Sequence, residues 1–276
     1  MSSHRPPPSF RAIGIFDSGV GGLTVARQLR RVLPNEDLLY LGDTARVPYG
    51  TKSPETVVRF ACEDTAFLVA ANVKAVVVAC NTASAWALEV LQRRFAVPVF
   101  GVILPGASAA IERTRSGRIG VIGTPATIRS EAYTRAIFGE RPGCRVFPVA
   151  CPLLVPLVEE GWVNHPVSRL VLEEYLRPLL RHRIDTLVLG CTHYPLLKRA
   201  IRKIAGPEVA LIDSAESCAR QVGRELAARG LLANRRRSGR LRACLTDETA
   251  RFGEIAQRFL GGEKISAGRV DLPSLD

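Results

Sequence analysis

Two stretches of the chain decide its fold: VVVACNTAS at residues 76–84 and LVLGCTHYP at residues 187–195. Each is a short apolar run that ends in a cysteine and continues into polar residues. The two cysteines, Cys80 and Cys191, are separated by 191 − 80 = 111 residues. A matched position for the same reactive residue indicates that the two stretches are equivalent parts of two similar units.

Two further pairs of segments support this repeat. VPVF at residues 97–100 matches EVAL at residues 208–211 with the same offset, 208 − 97 = 111, and IGIF at 13–16 matches IGVI at 119–122 with an offset of 119 − 13 = 106. Any two α/β units look alike at this level of detail. The repeated cysteine nevertheless favours duplicated halves that differ by one insertion of 111 − 106 = 5 residues.

Apolar runs alternate with longer amphipathic stretches along most of the chain. We predict strands at residues 13–16, 38–41, 75–79, 97–102, 118–122, 145–149, 186–189 and 209–212. We predict helices at residues 23–33, 54–71, 84–95, 127–137, 167–181, 196–204 and 215–229. Continuous apolar strands separated by helices indicate parallel sheets that are covered on both faces.

Length and composition indicate a globular protein. The 276 residues suit one large domain or two modest ones and can bury a core without disulfides or metals. Hydrophobic residues make up 47% and charged residues 23%, which argues against a disordered or fibrous chain. No uncharged apolar stretch approaches the ~18 residues of a membrane-spanning helix. The proline-rich start, residues 1–10, does not resemble a signal peptide. We therefore expect a cytoplasmic protein.

The formal net charge is 38 − 26 = +12, a surplus that can hold nucleic acid or draw small anions toward a cleft. The densest basic run, Arg235–Arg240, has no aromatic residues among its arginines. We expect it to be a solvated loop rather than a nucleic-acid site. The seven cysteines include no C-x-x-C pair, which argues against a disulfide framework.

A glycine-rich loop, DSGVGG at residues 17–22, follows the first predicted strand. It does not match the dinucleotide-binding pattern G-x-G-x-x-G, because Thr24 stands three positions after Gly21, and it lacks the lysine of a P-loop. The backbone N–H groups and the following helix N-terminus suit a carboxylate, whereas Asp17 would repel a phosphate and attract an ammonium. The loop therefore indicates a zwitterionic ligand rather than a nucleotide.

Cys80 and Cys191 each close a predicted strand, at the edge where parallel α/β sheets bind their ligands. A helix N-terminus follows each cysteine and favours the thiolate. Hydroxyl, amide and imidazole groups that could bind a carboxylate come next: Asn81, Thr82, Thr192 and His193.

Four interpretations of these cysteines stay open on the residues alone. Both thiols could be core residues, or they could bind zinc with His193, although no compact second ligand pair is present. One thiol could be an acyl-transfer nucleophile with His193 as its base. In the fourth interpretation the thiols face each other across a cleft, one taking a proton while the other gives one. A two-fold repeat favours the fourth, and inversion of a stereocentre requires it.

Six segments of the chain form a recognisable set: FDSGVGGLTV (16–25), GDTARVPYG (42–50), ACNTAS (79–84), GVIGTPATI (120–128), ACPLLVPLVEEG (150–161) and LGCTHYPLL (189–197). They resemble the motifs of the glutamate racemase family, in the family's order, and the resemblance covers most of the chain. The segment from Leu241 to Leu272 also resembles the family's C-terminal strand–helix–strand, which returns to the first domain.

The resemblance implies a cofactor-independent interconversion of L- and D-glutamate that supplies D-glutamate for peptidoglycan. It implies that Cys80 deprotonates the D-enantiomer and Cys191 the L-enantiomer. The implied supporting residues are Asp17 for Cys80, and His193 with Glu159 for Cys191. The implied substrate contacts are Asp17, Ser18, Tyr49, Gly50, Asn81, Thr82, Thr127, Thr192 and His193. Related aspartate racemases typically carry an acidic residue where His193 stands, which favours glutamate.

The repeat and the resemblance together predict an α/β fold of two pseudo-symmetric parallel-sheet domains with the active site in the cleft between them. We expect residues 10–104 with 213–276 to form the first domain, residues 105–212 the second, and residues 1–9 a flexible tail. We further expect a homodimer that binds glutamate, needs no metal, and has neither a membrane nor a nucleic-acid partner.

Overall fold

A computed structural model describes residues 7–235, 237–248 and 251–275 of the chain. The strands are β1 (Ile13–Asp17), β2 (Leu38–Gly42), β3 (Ala75–Val78), β4 (Val99–Gly101), β5 (Arg118–Gly123), β6 (Arg145–Ala150), β7 (Thr186–Gly190), β8 (Ala210–Asp213), β9 (Leu241–Leu245) and β10 (Ala267–Arg269). The helices are α1 (Leu23–Val32), α2 (Pro54–Ala70), α3 (Asn81–Arg94), α4 (Ile103–Arg113), α5 (Pro125–Arg129), α6 (Ala132–Glu140), α7 (Leu154–Glu159), α8 (Pro166–Arg181), α9 (Lys198–Ala205), α10 (Ser214–Ala228) and α11 (Phe252–Phe259).

The strands form two sheets whose neighbours all run parallel. The larger sheet has the order β10-β9-β2-β1-β3-β4, and the smaller sheet has the order β6-β5-β7-β8. The smaller sheet therefore repeats the order β2-β1-β3-β4 of the larger one, with β5 in the place of β1 and β7 in the place of β3. The predicted fold class, two related parallel-sheet α/β units, is confirmed.

The strands that lead to the two cysteines are completely buried. Every residue of β3 and of β7 is buried. Strands that are covered on both faces appear in the sequence as unbroken apolar runs. For this reason the sequence pattern predicts their positions. The predicted start of α2 is also confirmed, since the Ser53 hydroxyl accepts a hydrogen bond from the Thr56 N–H at 3.3 Å and Pro54 takes the first helical position.

The predicted start of α3 is wrong by three residues. The helix begins at Asn81 rather than Ser84, so Cys80 is its N-cap residue. Ser84 lies inside the first turn, where its hydroxyl donates to the Val78 carbonyl at 2.8 Å and accepts from the Val102 N–H at 3.2 Å. A serine that follows a strand is a common N-cap residue, so the sequence predicts a helix start at Ser84. Its hydroxyl instead hydrogen-bonds to the backbone at the ends of two strands. Cys80 consequently lies at the positive end of the α3 dipole.

Three other helical regions also differ from the prediction. The helix predicted over residues 127–137 is divided into α5 and α6, because Glu131 adopts a left-handed conformation with φ of 54°. The sequence pattern does not predict α4 or α7, since Pro105 with Gly106 in α4 and Pro156 in α7 obscure the helical signal.

The C-terminal part of the chain extends the larger sheet, as the resemblance implies. β9 pairs with β2, β10 pairs with β9, and α11 connects the two. The proposed boundaries near residues 104 and 213 stay a prediction. Of the predicted tail, residues 1–6 lie outside the described residues and Pro8–Phe10 form a 3-10 turn. None of the described helices combines the length and apolarity needed to cross a membrane.

The sequence predicts that the basic run at residues 235–240 is a solvated loop, but two of its arginines pair with a carboxylate. Arg235 and Arg237 both pair with the Asp37 carboxylate, at 2.5 and 3.1 Å, and the side chain of Arg235 is only 9% exposed. The Arg240 N–H donates to the same carboxylate at 2.8 Å. The described part of the run therefore attaches the connection between α10 and β9 to the loop before β2; Arg236 lies outside the described residues.

A buried ion pair reinforces this attachment. The Lys74 ammonium donates to Glu36 at 2.5 Å and to the carbonyls of Ser9 and Leu231, each at 2.8 Å. The second Glu36 oxygen accepts from the Ala233 N–H at 2.7 Å. Four segments that are distant in sequence thus meet at one desolvated charge pair.

We expect Glu36→Ala to lower the free energy of unfolding by about 3–5 kcal/mol, because removal of one partner leaves the Lys74 charge buried and unpaired. Urea denaturation measures the change. Glu89→Ala, which breaks the exposed Glu89–Arg93 pair, is the control and should cost less than about 1 kcal/mol. Equal losses for the two variants would contradict the structural role of the pair.

Candidate active site

A cavity of about 320 Å³ lies where strand ends of the two sheets meet. Its wall includes Cys80, which follows β3, and Cys191, which follows β7. The predicted site residues on this wall are Ser18, Tyr49, Gly50, Cys80, Asn81, Thr82, Glu159, Cys191, Thr192 and His193. Asp17 and Thr127 do not line the cavity; both are buried and contact residues that do.

The Cys80 side of the cavity favours a protonated thiol. Its Sγ atom lies 3.7 Å from the Ser18 hydroxyl. Burial, together with the negative charge of Asp17, raises the pKa of Cys80 to about 12 despite its position at the start of α3. Asp17 is fully buried, and its Oδ2 accepts the Gly19 N–H at 3.1 Å while its Oδ1 has no partner among the described residues.

The Cys191 side contains a hydrogen-bonded chain of ionisable groups. His193 Nε2 lies 2.9 Å from the Glu159 carboxylate, and His193 Nδ1 lies 3.9 Å from Cys191 Sγ. Burial lowers the pKa of His193, but the hydrogen bonds to Cys191 and Glu159 outweigh it and raise this pKa to about 10. The ring is therefore an imidazolium at neutral pH, and its charge stabilises a negative charge on the Cys191 sulfur.

The two thiols therefore differ in the charged group that lies beside them. A buried carboxylate next to Cys80 opposes ionisation, whereas a buried imidazolium next to Cys191 supports it. A protonated thiol on one side and a sulfur next to an imidazolium on the other could serve as an acid and a base. A ligand held between them could lose a proton on one face and gain one on the other.

Hydrogen-bond donors suited to a carboxylate line the same cavity as the thiols. The Asn81 Oδ1 accepts from the Tyr133 hydroxyl at 2.8 Å, which orients the side chain and leaves its Nδ2 without a partner among the described residues. The Thr82 hydroxyl lies 2.9 Å from that of Thr124 and 3.1 Å from that of Thr127. Thr127 therefore acts on the cavity through Thr82.

Tyr49 lines the cavity, but its hydroxyl is engaged elsewhere. That hydroxyl contacts the buried carboxyl groups of Asp43 and Asp64, the second at 3.0 Å. Burial and the neighbouring Asp43 charge raise the pKa of Asp64 well above its usual range. Arg46 also pairs with both carboxyl groups, so this network fixes the cavity wall formed by residues 47–51.

The glycine-rich loop brings the two units into contact. A Cβ atom on Gly21 would lie 2.3 Å from the Thr192 hydroxyl and 2.5 Å from the His193 ring. The adjacent Thr24 hydroxyl donates to the Thr192 carbonyl at 3.0 Å. Only glycine permits this close approach, so Gly21 serves packing beside Cys191, while Ser18 and Gly19 of the same loop line the cavity.

The sequence prediction missed Thr124, which lines the cavity beside Thr82. The sequence repeat could have predicted it, because the offset of 106 residues makes position 124 (18 + 106) equivalent to Ser18. The apolar wall was also missed; it consists of Val47, Pro48, Pro125, Pro152, Val155 and Pro156. Within the described ranges, no group of three or more His, Cys, Asp or Glu side chains could hold a metal ion.

The fold and the paired thiols define a racemase of the two-lobed α/β type, and comparisons with known proteins agree. The Asp/Glu/Hydantoin racemase family model matches residues 22–222. The glutamate racemase of Geobacter metallireducens is 55% identical over 263 residues, which cover 95% of this chain and 97% of the relative.

Solved structures give the same result. A glutamate racemase isoform from Bacillus anthracis superposes with a TM-score of 0.92 at 44% identity, covering 96% of this chain and 99% of that one. The Francisella tularensis glutamate racemase in complex with D-glutamate has a TM-score of 0.89 at 39% identity, covering 95% and 98%. The chain belongs to the Asp/Glu/Hydantoin racemase family and, within it, to the glutamate racemases. It is an isomerase that acts on glutamate.

At neutral pH we expect iodoacetamide to alkylate Cys191 about tenfold or more faster than Cys80, because the thiolate is the reactive form. His193→Asn should slow labelling of Cys191 and leave Cys80 unchanged, since it removes the imidazolium. Peptide mapping by mass spectrometry measures both rates. Faster labelling of Cys80 would show that the assignment of acid and base is reversed.

Proposed function

We propose that this enzyme interconverts L- and D-glutamate by a two-base mechanism in which Cys80 and Cys191 act on opposite faces of the same α-carbon. The observation that carries the proposal is that both thiols line one cavity, with a buried carboxylate beside Cys80 and a buried imidazolium beside Cys191. This is the arrangement that direct inversion of a stereocentre requires.

In the L-to-D direction, the Cys191 thiolate takes the α-proton and the electron pair of the C–H bond stays on the α-carbon. The Cys80 thiol then donates its proton to the opposite face, and the electron pair forms the new C–H bond. Cys191 ends as a thiol and Cys80 as a thiolate, which is the starting state for D-to-L conversion. The His193–Glu159 pair supports the Cys191 thiolate, and Asp17 keeps Cys80 in its acid form.

The α-hydrogen of an amino acid is very weakly acidic, so the charge that develops on its removal needs stabilisation. The unpartnered Asn81 Nδ2 and the hydroxyls of Thr82 and Thr192 can donate to the substrate carboxylate as it gains charge. The further proposed substrate contacts on the cavity wall are Ser18, Tyr49, Gly50 and His193, and we propose that Asp17 and Thr127 act on the substrate through Gly19 and Thr82. The apolar proline and valine wall limits the access of water, which strengthens each of these interactions.

The proposal extends to the biological setting. D-Glutamate made by this reaction would supply peptidoglycan synthesis in the cytoplasm, with the enzyme acting as a homodimer. The basis is the similarity to glutamate racemases over nearly the whole chain, together with glutamate as the ligand of the Francisella tularensis structure.

We expect Cys80→Ala and Cys191→Ala each to reduce racemisation in both directions by at least about 10³-fold, because each removes the acid or base of one face. The corresponding serine variants should be almost as inactive, since a hydroxyl is a much poorer base. Circular dichroism of each enantiomer, without added cofactor, measures the conversion. Cys244→Ala, which removes a half-buried thiol on β9, is the control and should retain activity. Full turnover by either alanine variant would overturn the two-thiol scheme.

A further inference from the structure

Helix α11, near the C-terminus, contacts the residues that support Cys191. The Phe259 ring at its end is fully buried and packs against the His193 ring, with the ring centroids 5.1 Å apart and the planes at 82°. Edge-to-face packing of this kind is favourable and restricts ring orientation. His193 needs a defined orientation, because its two nitrogens face Glu159 and Cys191.

The preceding residue contacts the other member of the pair. The Arg258 guanidinium donates to the backbone carbonyl of Glu159 at 3.2 Å. Gly161 makes room for it: its φ of 78° lies in the left-handed region, and a Cβ there would lie 2.6 Å from Arg258 Nη1. Arg258 therefore fixes the backbone at the end of α7, from which the Glu159 side chain reaches His193.

Helix α11 reaches this position from the opposite unit. It connects β9 and β10 of the larger sheet, and the Glu263 carboxylate that follows it pairs with Arg30 of α1. His193 and Glu159 follow strands β7 and β6 of the smaller sheet. The contacts of Phe259 and Arg258 thus join one unit of the fold to the supporting groups of the other.

We infer that Phe259, assisted by Arg258, is a positioning residue that holds the His193–Glu159 pair in the geometry needed for proton transfer at Cys191. The inference rests on the proposed function. The Phe259 ring occupies space that water would otherwise fill beside the imidazolium, so it keeps the charges of His193, Glu159 and Cys191 unscreened. It also fixes the ring tilt that directs Nδ1 toward Cys191.

If Phe259 has this role, its substitution impairs proton transfer at the substrate face that Cys191 serves and not at the opposite face. In Phe259→Leu we expect kcat/KM to fall about 10- to 100-fold, as for other small displacements of catalytic groups. Since the two enantiomers have equal free energy in water, kcat/KM falls equally in both directions and does not reveal which face is affected. Isotope effects do reveal it.

The test compares [2-²H]-L-glutamate with [2-²H]-D-glutamate. If transfer at Cys191 becomes the slowest step in Phe259→Leu, the isotope effect on kcat/KM rises for the L-enantiomer and falls toward 1 for the D-enantiomer. Phe252→Leu is the matched control, since it truncates another buried phenylalanine of α11 that makes no ring contact with His193. It should leave the two isotope effects in their wild-type ratio.

A second pair of variants covers the case in which Phe259→Leu fails to fold. Arg258→Met should shift the isotope effects in the same sense, whereas Arg251→Met, which removes an exposed ion pair with Glu160 and no hydrogen bond to the Glu159 backbone, should not. Isotope effects that change equally for both enantiomers, or that shift in the control variants as well, would overturn the positioning role. An inactive wild-type enzyme would overturn the proposed function and this inference with it.

Discussion

The hydrogen bond between the Glu159 carboxylate and the His193 ring, at 2.9 Å, is the interaction on which the chemistry of the cavity depends. Together with the hydrogen bond to Cys191, it keeps the buried His193 ring protonated, where burial alone would favour the neutral ring. Cys80 lies beside the Ser18 hydroxyl and the buried Asp17 carboxylate, and burial together with that charge raises its pKa. A positive charge therefore lies beside one sulfur and a negative charge beside the other.

The duplicated fold explains how two similar residues come to differ in this way. The equivalent strands β3 and β7 carry the cysteines to one edge of their sheets, and the repeat places Thr82 and His193 at matched positions (82 + 111 = 193). The shared frame supplies two thiols around one cavity, and the exchange of threonine for histidine places an imidazolium beside one of them. Symmetry thus provides the geometry, and its local loss gives the two thiols different electrostatic surroundings.

The sequence predicts the features that depend on local pattern. Buried parallel strands are continuous apolar runs, and the residues that follow them are candidate ligand contacts, so Cys80, Cys191 and their neighbours are found together on the cavity wall. The start of α3 is missed because Ser84 resembles an N-cap while its hydroxyl serves two strand ends. The contact of Phe259 with His193 joins residues 259 − 193 = 66 positions apart. A local sequence pattern cannot predict a contact between residues so far apart in the chain.

Hydrogen exchange during a single turnover tests the opposed thiols most directly. L-Glutamate is incubated with the enzyme in deuterated water, and both enantiomers are separated at early conversion and analysed by mass spectrometry. Two thiols acting on opposite faces predict that the D-glutamate formed carries deuterium at the α-carbon, while the remaining L-glutamate keeps its protium. Deuterium appearing equally in both enantiomers from the start would mean that one base serves both faces, and would contradict the account.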